Sequence, residues 1–307
     1  MSTSKKIIMR LFIIKPILFL SIALLIANTA NAQLNKFEAM YYQNQYLGNP
    51  AMAGLNKGLN VNLGFQRQWD DVPGNPVMLY ATGEYNPDSR AAYGLNFSSD
   101  RAGLITNSRI LGTFAYHLPL NDEDQKLNFG LSLGARFLSL DKSKISGDIE
   151  DPSLQNFNEG GALDGDFGIS YTSKLLTVQA AVPNLNNTFF ENDNGERRYV
   201  DSQIFYSAIS YKIFVSSRIN DFNIEPLVAY RTIRGYKDIM DVGANFTMPE
   251  YHTNISAMYH TNEVISGSFG ITLDKLGIFL SYSSFIGNTG AYANDGFELG
   301  LRYKFLE

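Results

Sequence analysis

Residues 126–137 read KLNFGLSLGARF and carry the clearest structural signal in the chain. Apolar side chains occupy every second position from Leu127 to Phe137, and small or polar residues fill the positions between them. Successive side chains of a β-strand point to opposite faces, with a period of two. The pattern therefore predicts a long strand with one apolar and one polar face.

The same alternation continues after residue 57 and predicts fourteen strands. The predicted strands are residues 58–69, 76–86, 91–99, 107–118, 126–141, 162–172, 174–183, 201–215, 222–233, 238–248, 252–261, 263–273, 275–284 and 295–306. Strands of soluble proteins average about 5–6 residues, whereas a tilted membrane-spanning strand needs about 9–11. Most predicted strands have the membrane-spanning length. Residues 58–307 are therefore predicted to form an all-β fold, a transmembrane antiparallel β-barrel of about fourteen strands.

Long and short predicted connections alternate along the chain. Residues 142–161, 184–200 and 285–294 fall at one end of the barrel, and tight turns such as 172–174 fall at the other. Outer-membrane barrels place long loops outside the cell and short turns in the periplasm. We therefore expect the long loops outside and both termini in the periplasm, although the connection near Asn262 is short for an external loop.

Charged residues of the predicted strands fall on the polar face, which faces the lumen in a membrane barrel. These charges are Glu84, Arg109, Arg136, Asp164, Asp166, Glu225, Arg231, Asp241, Glu298, Arg302 and Lys304. A charge on the lipid face near the bilayer midplane would cost about 2–4 kcal/mol, so a barrel requires this placement. Arg136, Asp164, Asp166, Glu298, Arg302 and Lys304 are the predicted lumen-facing charges, and their opposite signs can pair and close the lumen.

Pro226 fits the barrel pattern poorly. Proline lacks the backbone N–H that a paired strand needs, and a closed barrel has no edge strand to accommodate it. We therefore expect a β-bulge at Pro226.

The first 32 residues have the features of a cleaved secretory signal peptide. Basic residues at positions 5, 6, 10 and 15 precede an apolar run over residues 17–27, and Ala30-Asn31-Ala32 forms a small-x-small cleavage site. Residues 33–57 follow without strand alternation and contain Tyr41, Tyr42 and Tyr46. They are predicted to be a lead-in or periplasmic plug segment, which covers the mouth of the barrel or enters its lumen.

Composition excludes several classes of protein. A mean hydropathy of −0.13 excludes a bundle of transmembrane helices. The absence of Cys excludes disulfides, iron–sulfur clusters and a cysteine nucleophile. Removing the four basic residues of the signal lowers the 25 Lys and Arg to 21 against 30 Asp and Glu, a net charge of −9. Such a chain is not expected to bind nucleic acid, which needs a basic face.

No motif with catalytic or metal-binding spacing is found. The three histidines are His117, His252 and His260, and their spacing does not suggest a metal site. Asp164 and Asp166 share a face like paired catalytic carboxylates, but on a barrel wall this pattern is more typical of a hydrated lumen. We predict no catalytic residue, no metal and no cofactor, and hence no enzyme.

The lead-in YYQNQYLGNPAMAG (residues 41–54) resembles the opening Asn-Pro-Ala-x-Ala-Gly segment of the PorP/SprF family, outer-membrane proteins of the type IX secretion system of Bacteroidota. The resemblance continues through FQRQWDDVPGNPVM (65–78), YGLNFSSDRAGLITNSRILGTFAYHLPL (93–120), KLNFGLSLGARF (126–137), DPSLQNF (151–157) and VPNLNNTFF (182–190). Order and spacing match over about residues 37–307, although in the second half the likeness rests mostly on the strand pattern.

The resemblance implies a non-enzymatic component of type IX secretion and gliding. Its implied partners are outer-membrane lipid, secretion-system subunits, and a secreted adhesin or the C-terminal sorting domain of that adhesin. The family motifs map onto Asn49, Pro50, Ala51, Gly54, Gln68 and Trp69. The residues predicted to contact a protein partner are Tyr41, Tyr42, Tyr46, Asn49, Pro50, Gly54 and Trp69. For the motif residues a structural role is favoured, because Pro50 and Gly54 shape a turn and Trp69 can anchor a strand end.

Two other interpretations of the sequence stay open at this point. One is an outer-membrane transporter or porin for small solutes, including hydrophobic ones, with residues 33–57 as a plug. The other is a soluble or surface β-sandwich that binds glycans. A neighbouring gene for a very large repeat-rich adhesin would favour secretion over transport.

Overall fold

The computed structural model describes residues 40–68, 74–121, 124–144, 161–189, 203–216, 221–287 and 295–305. The strands are β1 (Gly58–Gln68), β2 (Val77–Asn86), β3 (Ala91–Ala102), β4 (Ile105–Pro119), β5 (Lys126–Leu140), β6 (Ala162–Thr172), β7 (Leu176–Val182), β8 (Gln203–Tyr211), β9 (Ile213–Ser216), β10 (Asp221–Ile233), β11 (Ile239–Met248), β12 (Thr253–His260), β13 (Val264–Leu273), β14 (Leu276–Phe285) and β15 (Gly296–Lys304).

These strands form one closed antiparallel sheet. Apart from β8 and β9, each pairs with its neighbours along the chain, and β15 pairs with β1. Both β8 and β9 pair with β10, so they are two halves of one barrel strand interrupted at Lys212. The fold is thus a fourteen-stranded barrel, which confirms the predicted fold class.

Helical structure in the described residues is limited to short pieces. The 3-10 turns are Gln45–Leu47, Pro50–Met52, Lys142–Lys144 and Pro249–Tyr251, and one short helix, α1, spans Leu185–Phe189. No described helix is long and apolar enough to cross a membrane.

The two faces of the barrel wall differ in polarity as the alternation predicts. On β5, Leu131 and Leu133 point outward with 44% and 55% of their surface exposed, whereas Ser132 between them is 2% exposed. Outward positions of the other strands likewise carry Leu, Ile, Phe and Tyr. The wall therefore presents an apolar outer surface to lipid and a polar inner surface to the lumen.

The bulge expected at Pro226 is not there, so that prediction was wrong. Pro226 pairs with Ala244 of β11 in an unshifted register. On the opposite edge, β10 pairs with β8 and β9 in the same register before and after the interruption at Lys212. The one register shift between β10 and β8 lies at Thr232/Ile233, away from Pro226. The missing N–H is accommodated by the interruption between β8 and β9, and no extra residue is inserted.

We call the end of the barrel where β1 begins the near rim, and the end where β1 stops the far rim. Short turns such as Asp274–Lys275 join strands at the near rim. The connections predicted over 142–161, 184–200 and 285–294 leave from the far rim and fall mostly outside the described residues.

Candidate functional site: the barrel lumen and the segment inside it

Residues 40–54, called the lumen segment from here on, lie inside the barrel. Their side chains form hydrogen bonds to inward-facing residues on widely separated strands. These pairs are Tyr41 with Asp241 on β11, Asn44 with Thr82 on β2, Tyr46 with Thr113 on β4, and Asn49 with Gln179 on β7. Because the partners lie on opposite sides of the wall, the segment crosses the lumen.

Local sequence explains why this segment forms turns. The Asn49 Oδ1 atom accepts a hydrogen bond from the Ala51 N–H at 3.0 Å, and Pro50 occupies the first position of the following 3-10 turn. Asparagine and proline are favoured at these two positions. Gly54 then adopts a φ of +68°, which glycine tolerates best. The result is a compact pair of turns.

Three inward-facing glycines of the wall leave room for residues 46–51 of the segment. They are Gly94 on β3, Gly130 on β5 and Gly168 on β6, together called the glycine seat. A Cβ on Gly130 would lie 2.2 Å from the carbonyl carbon of Pro50, and one on Gly168 would lie 1.9 Å from Asn49 Oδ1. A Cβ on Gly94 would lie 2.4 Å from the Tyr46 hydroxyl. The seat therefore fits the segment only because these wall residues lack side chains.

Polar contacts complete the docking in the seat. The Asn49 amide donates to Gln179 Oε1 at 3.2 Å and also lies 3.3 Å from the Ile169 carbonyl oxygen. The Tyr46 hydroxyl lies 2.7 Å from the Thr113 hydroxyl. Asn49 has no exposed surface, so its hydrogen bonds replace those that water would otherwise make.

The near-rim end of the segment is held through its backbone. The Gly54 N–H donates to the Glu84 carboxylate at 2.7 Å, and the Asn86 amide donates to the Gly54 carbonyl oxygen at 2.7 Å. His117 Nε2 donates to the Ala53 carbonyl oxygen at 3.1 Å. Ala53 itself is fully buried. These contacts tie the segment to the wall just before β1 begins.

The other end of the segment joins a buried charge cluster. The Tyr41 hydroxyl donates to Asp241 Oδ2 at 2.5 Å, and Arg231 donates to both Asp241 oxygens at 2.7 and 2.9 Å. His260 Nδ1 lies 2.6 Å from Asp241 Oδ1. Tyr41, Arg231, Asp241 and His260, called the Asp241 cluster, are each at most 1% exposed. A bidentate arginine–carboxylate pair is among the strongest polar contacts in proteins.

The Asp241 cluster extends to a serine but does not form an accessible catalytic site. His260 Nε2 lies 2.9 Å from the Ser266 hydroxyl, so Asp, His and Ser follow one another as in a serine hydrolase triad. Ser266 is only 2% exposed, and both Asp241 oxygens are already held by Arg231. In this structure the arrangement links the neighbouring strands β11, β12 and β13.

Metal binding finds no support in the described part of the chain. No three His, Asp or Glu residues come together there in a way that can hold an ion.

Burial changes the titration of the tyrosines in the lumen segment. It raises the pKa of Tyr41, Tyr42 and Tyr46 well above the ordinary value for a phenol. An ordinary phenol is already protonated at physiological pH, so the raised pKa values extend the alkaline range over which these hydroxyls keep their protons.

A second charge cluster lies toward the far rim. Arg109 bridges Asp164 and Asp166 at 2.9 and 2.8 Å, and Arg136 pairs with Asp164 at 2.8 Å. Asp166 also accepts from the Asn184 N–H at 2.8 Å, and Asn184 bonds Arg136 through its side chain. The two aspartates are therefore held in ion pairs, where a hydrated lumen was expected, and they fasten the residues just before α1 to one side of the barrel.

The remaining predicted lumen charges all lie on β15, with Glu298 close to the far rim and Arg302 and Lys304 toward the near rim. Glu298 accepts a hydrogen bond from the Tyr80 hydroxyl at 2.9 Å. Arg302 Nε donates to Asn62 at 2.9 Å and lies 5.2 Å from the centre of the Phe279 ring. Lys304 lines a cavity at the near rim. The lumen segment occupies part of the lumen, and closure of the lumen by pairing of these charges stays a prediction.

The residues considered for partner binding are mostly engaged within the chain. Tyr41, Tyr46, Asn49 and Pro50 are buried in the lumen, and Gly54 is bonded to the wall. Tyr42 is half-buried and donates to the Glu225 carbonyl oxygen at 3.1 Å. Trp69 lies outside the described residues. A partner could contact the buried side chains only after they leave the wall.

The lumen segment lies between cavities. Toward the near rim are cavities of about 450 and 250 Å³, which Tyr42 and Gln43 both line. On the other side is a cavity of about 60 Å³, lined by Leu47, Gly48 and Arg109.

Solved barrels of several bacteria are similar in shape to this chain. Outer membrane protein Omp33 of Acinetobacter baumannii is 8% identical, with 82% of this chain and 100% of that chain covered and a TM-score of 0.47. The toluene transporter TbuX of Ralstonia pickettii is 11% identical, with 84% and 92% covered and a TM-score of 0.49. A comparison with curated protein sequences finds no significant match.

A family model gives the decisive comparison. The model for the type IX secretion system membrane protein PorP/SprF matches residues 30–303, nearly the whole chain. The match includes the lumen segment and all the barrel strands, which together make up the outer-membrane barrel described above. The chain therefore belongs to the PorP/SprF family of type IX secretion system membrane proteins.

Proposed function

We propose that this barrel supports the secretion or surface anchoring of a large adhesin-type client by the type IX system. Membership of the PorP/SprF family over residues 30–303 is the observation that carries the proposal. The segment inside the lumen supports a role in protein assembly over solute conduction, because it contacts the wall on opposite sides and narrows any path through the barrel. The proposed role contains no catalytic step.

The two rims are the surfaces left for protein partners. We place the near rim and both termini in the periplasm, and the far rim outside the cell, because the longest connections leave from the far rim. Secretion-system subunits and the client, or its C-terminal sorting domain, would then dock on the rims and their loops. Burial of Tyr41 and Tyr46 leaves those tyrosines unable to serve as docking residues while the segment is seated.

Deletion of the gene tests the proposal. The deletion strain should lose one or a few large proteins from its surface, while uptake of small solutes stays normal. Expression of the wild-type chain in the deletion strain should restore the lost proteins. Purification in mild detergent should recover secretion-system subunits or the client.

The competing function is transport of small solutes, including hydrophobic ones. A deletion strain that keeps its full surface proteome but no longer grows on one nutrient would replace our proposal with that one.

A further inference from the structure

We propose that the lumen segment, residues 40–54, is a permeability seal: it occupies a hydrophilic pore that the barrel wall would otherwise form. This inference concerns the barrier property of the barrel and does not depend on which client the protein serves.

Barrel size makes an occupant necessary if the lumen is to be closed. The interior of an eight-stranded barrel is just wide enough for wall side chains to fill, and wider barrels leave space for ligands or water. This barrel has fourteen strands, and its inner face carries glycine at the seat positions Gly94, Gly130 and Gly168. Wall side chains alone therefore cannot fill the lumen at that level.

The wall beneath the segment is built for contact with water or polar groups. Thr82, Thr113 and Gln179 are only 1%, 5% and 3% exposed, and each bonds to a side chain of the segment. Removal of the segment would leave these hydroxyl and amide groups without those partners, and water would solvate them. An unsealed lumen would consequently be a hydrated pore.

The attachments of the segment are spread over its whole length. Tyr41 is held by the Asp241 cluster, Asn49 and Pro50 by the glycine seat, and Gly54 by Glu84 and Asn86. Loss of a single hydrogen bond would leave the other attachments in place, whereas a steric clash in the glycine seat would displace the middle of the segment. The far-rim cluster differs, because its ion pairs among the described residues join β4, β5 and β6 on one side of the wall.

Conductance of the full-length protein in planar lipid bilayers tests the seal. In Gly130→Ala the new Cβ meets backbone atoms of Pro50 and Ala51 at 2.2 and 2.3 Å, a clash that no side-chain rotation relieves. The control is Gly83→Ala on β2, where a Cβ meets nothing within 4 Å. Wild type and the control should stay at the lipid baseline, and Gly130→Ala should gain stepwise open-channel current.

A reversible cross-link provides the second test. The chain has no Cys, so Asn49→Cys with Gly168→Cys introduces the only thiols. Asn49 Cγ lies 3.0 Å from the position of a Cβ on residue 168, close enough for a disulfide between the two positions. Asn49→Cys removes the amide that bonds Gln179 and Ala51, and a Cβ on residue 168 lies 3.0 Å from Pro50 Cδ, so the reduced double variant should conduct and the oxidised one should be silent.

Retention of the barrel in each variant is checked by its altered gel migration before and after boiling. If Gly130→Ala does not fold, the cysteine pair carries the test. Wild-type protein that conducts like an open porin would overturn the proposal. So would current that persists in the oxidised double variant, or folded variants that all stay silent.

Discussion

Asp241 accepts hydrogen bonds from side chains that are far apart in the sequence. Arg231 lies ten residues away on the paired strand β10, whereas Tyr41 lies 200 residues away in the lumen segment. Burying a carboxylate is costly unless it is paired and hydrogen-bonded, and here both oxygens are satisfied. One residue thereby stabilises the wall and anchors the segment.

Asp241→Asn should strongly destabilise the barrel. It would leave the Arg231 guanidinium, which is 1% exposed, without its carboxylate. Breaking one side of a buried ion pair costs about 3–5 kcal/mol. Denaturant unfolding of the protein in detergent measures the change.

The matched control is Asp88→Asn at the surface pair with Lys57, where the side chains are 69% and 57% exposed. An exposed pair contributes at most about 1 kcal/mol. Equal effects of the two substitutions would show that the Asp241 cluster does not stabilise the fold.

At the scale of the elements, local residues decide where each strand turns. β3 and β4 are joined by Gly103 and Leu104, a tighter connection than the predicted gap between residues 99 and 107. Gly103 has a φ of +60°, which suits a tight hairpin turn. β3 runs to Ala102 and β4 begins at Ile105, so both strands extend further toward the far rim than predicted.

The outward face of β14 provides a test of membrane depth. Leu280 lies in the middle of that strand and is 53% exposed, and Leu273 lies at the near-rim end of β13 and is 54% exposed. Leu280→Arg should destabilise the barrel in lipid by about 2–4 kcal/mol, because the charge falls near the bilayer midplane.

Leu273→Arg is the control of equal exposure and should cost about 0–1 kcal/mol, since it lies near the interface. Unfolding from lipid vesicles measures both. A larger loss at Leu273 than at Leu280 would contradict the assigned membrane position.

At the scale of the whole molecule, the first and last strands, β1 and β15, pair with each other and close the barrel. Nine residue pairs, from Asn60 with Lys304 to Gln68 with Gly296, complete the sheet. Closure removes the free strand edges on which other chains could aggregate. It also encloses the lumen segment, which immediately precedes β1, within a continuous wall.

Accessibility of inserted tags tests the proposed orientation. Tags near Gly160 and Gly195, in the long connections outside the described residues, should be recognised on intact cells. A tag at Asp88 in the near-rim turn should be recognised only after the outer membrane is opened. The opposite result would invert the topology and place both termini outside.

Alternation of apolar and polar residues is enough to predict the number of strands, the side chains that face the membrane and those that face the lumen. It suffices for these features because a residue's place within its own strand decides which way its side chain points. Leu131 and Ser132 are adjacent examples, one exposed to lipid and the other buried in the lumen. The resemblance to PorP/SprF added the family, because the Asn-Pro-Ala and Gln-Trp elements keep their order and spacing.

The position of the lumen segment inside the barrel follows from contacts that form only in the folded chain. No periodic pattern in the sequence predicts the contact of Tyr41 with Asp241 or the fit of Pro50 against Gly130, because each joins residues far apart in the chain. Gly130 looks like any polar-face position of an alternating strand until its distance to Pro50 is known. The lumen segment was therefore recognisable in sequence as a departure from strand pattern, while its seat was set by wall residues that closure of the sheet brings together.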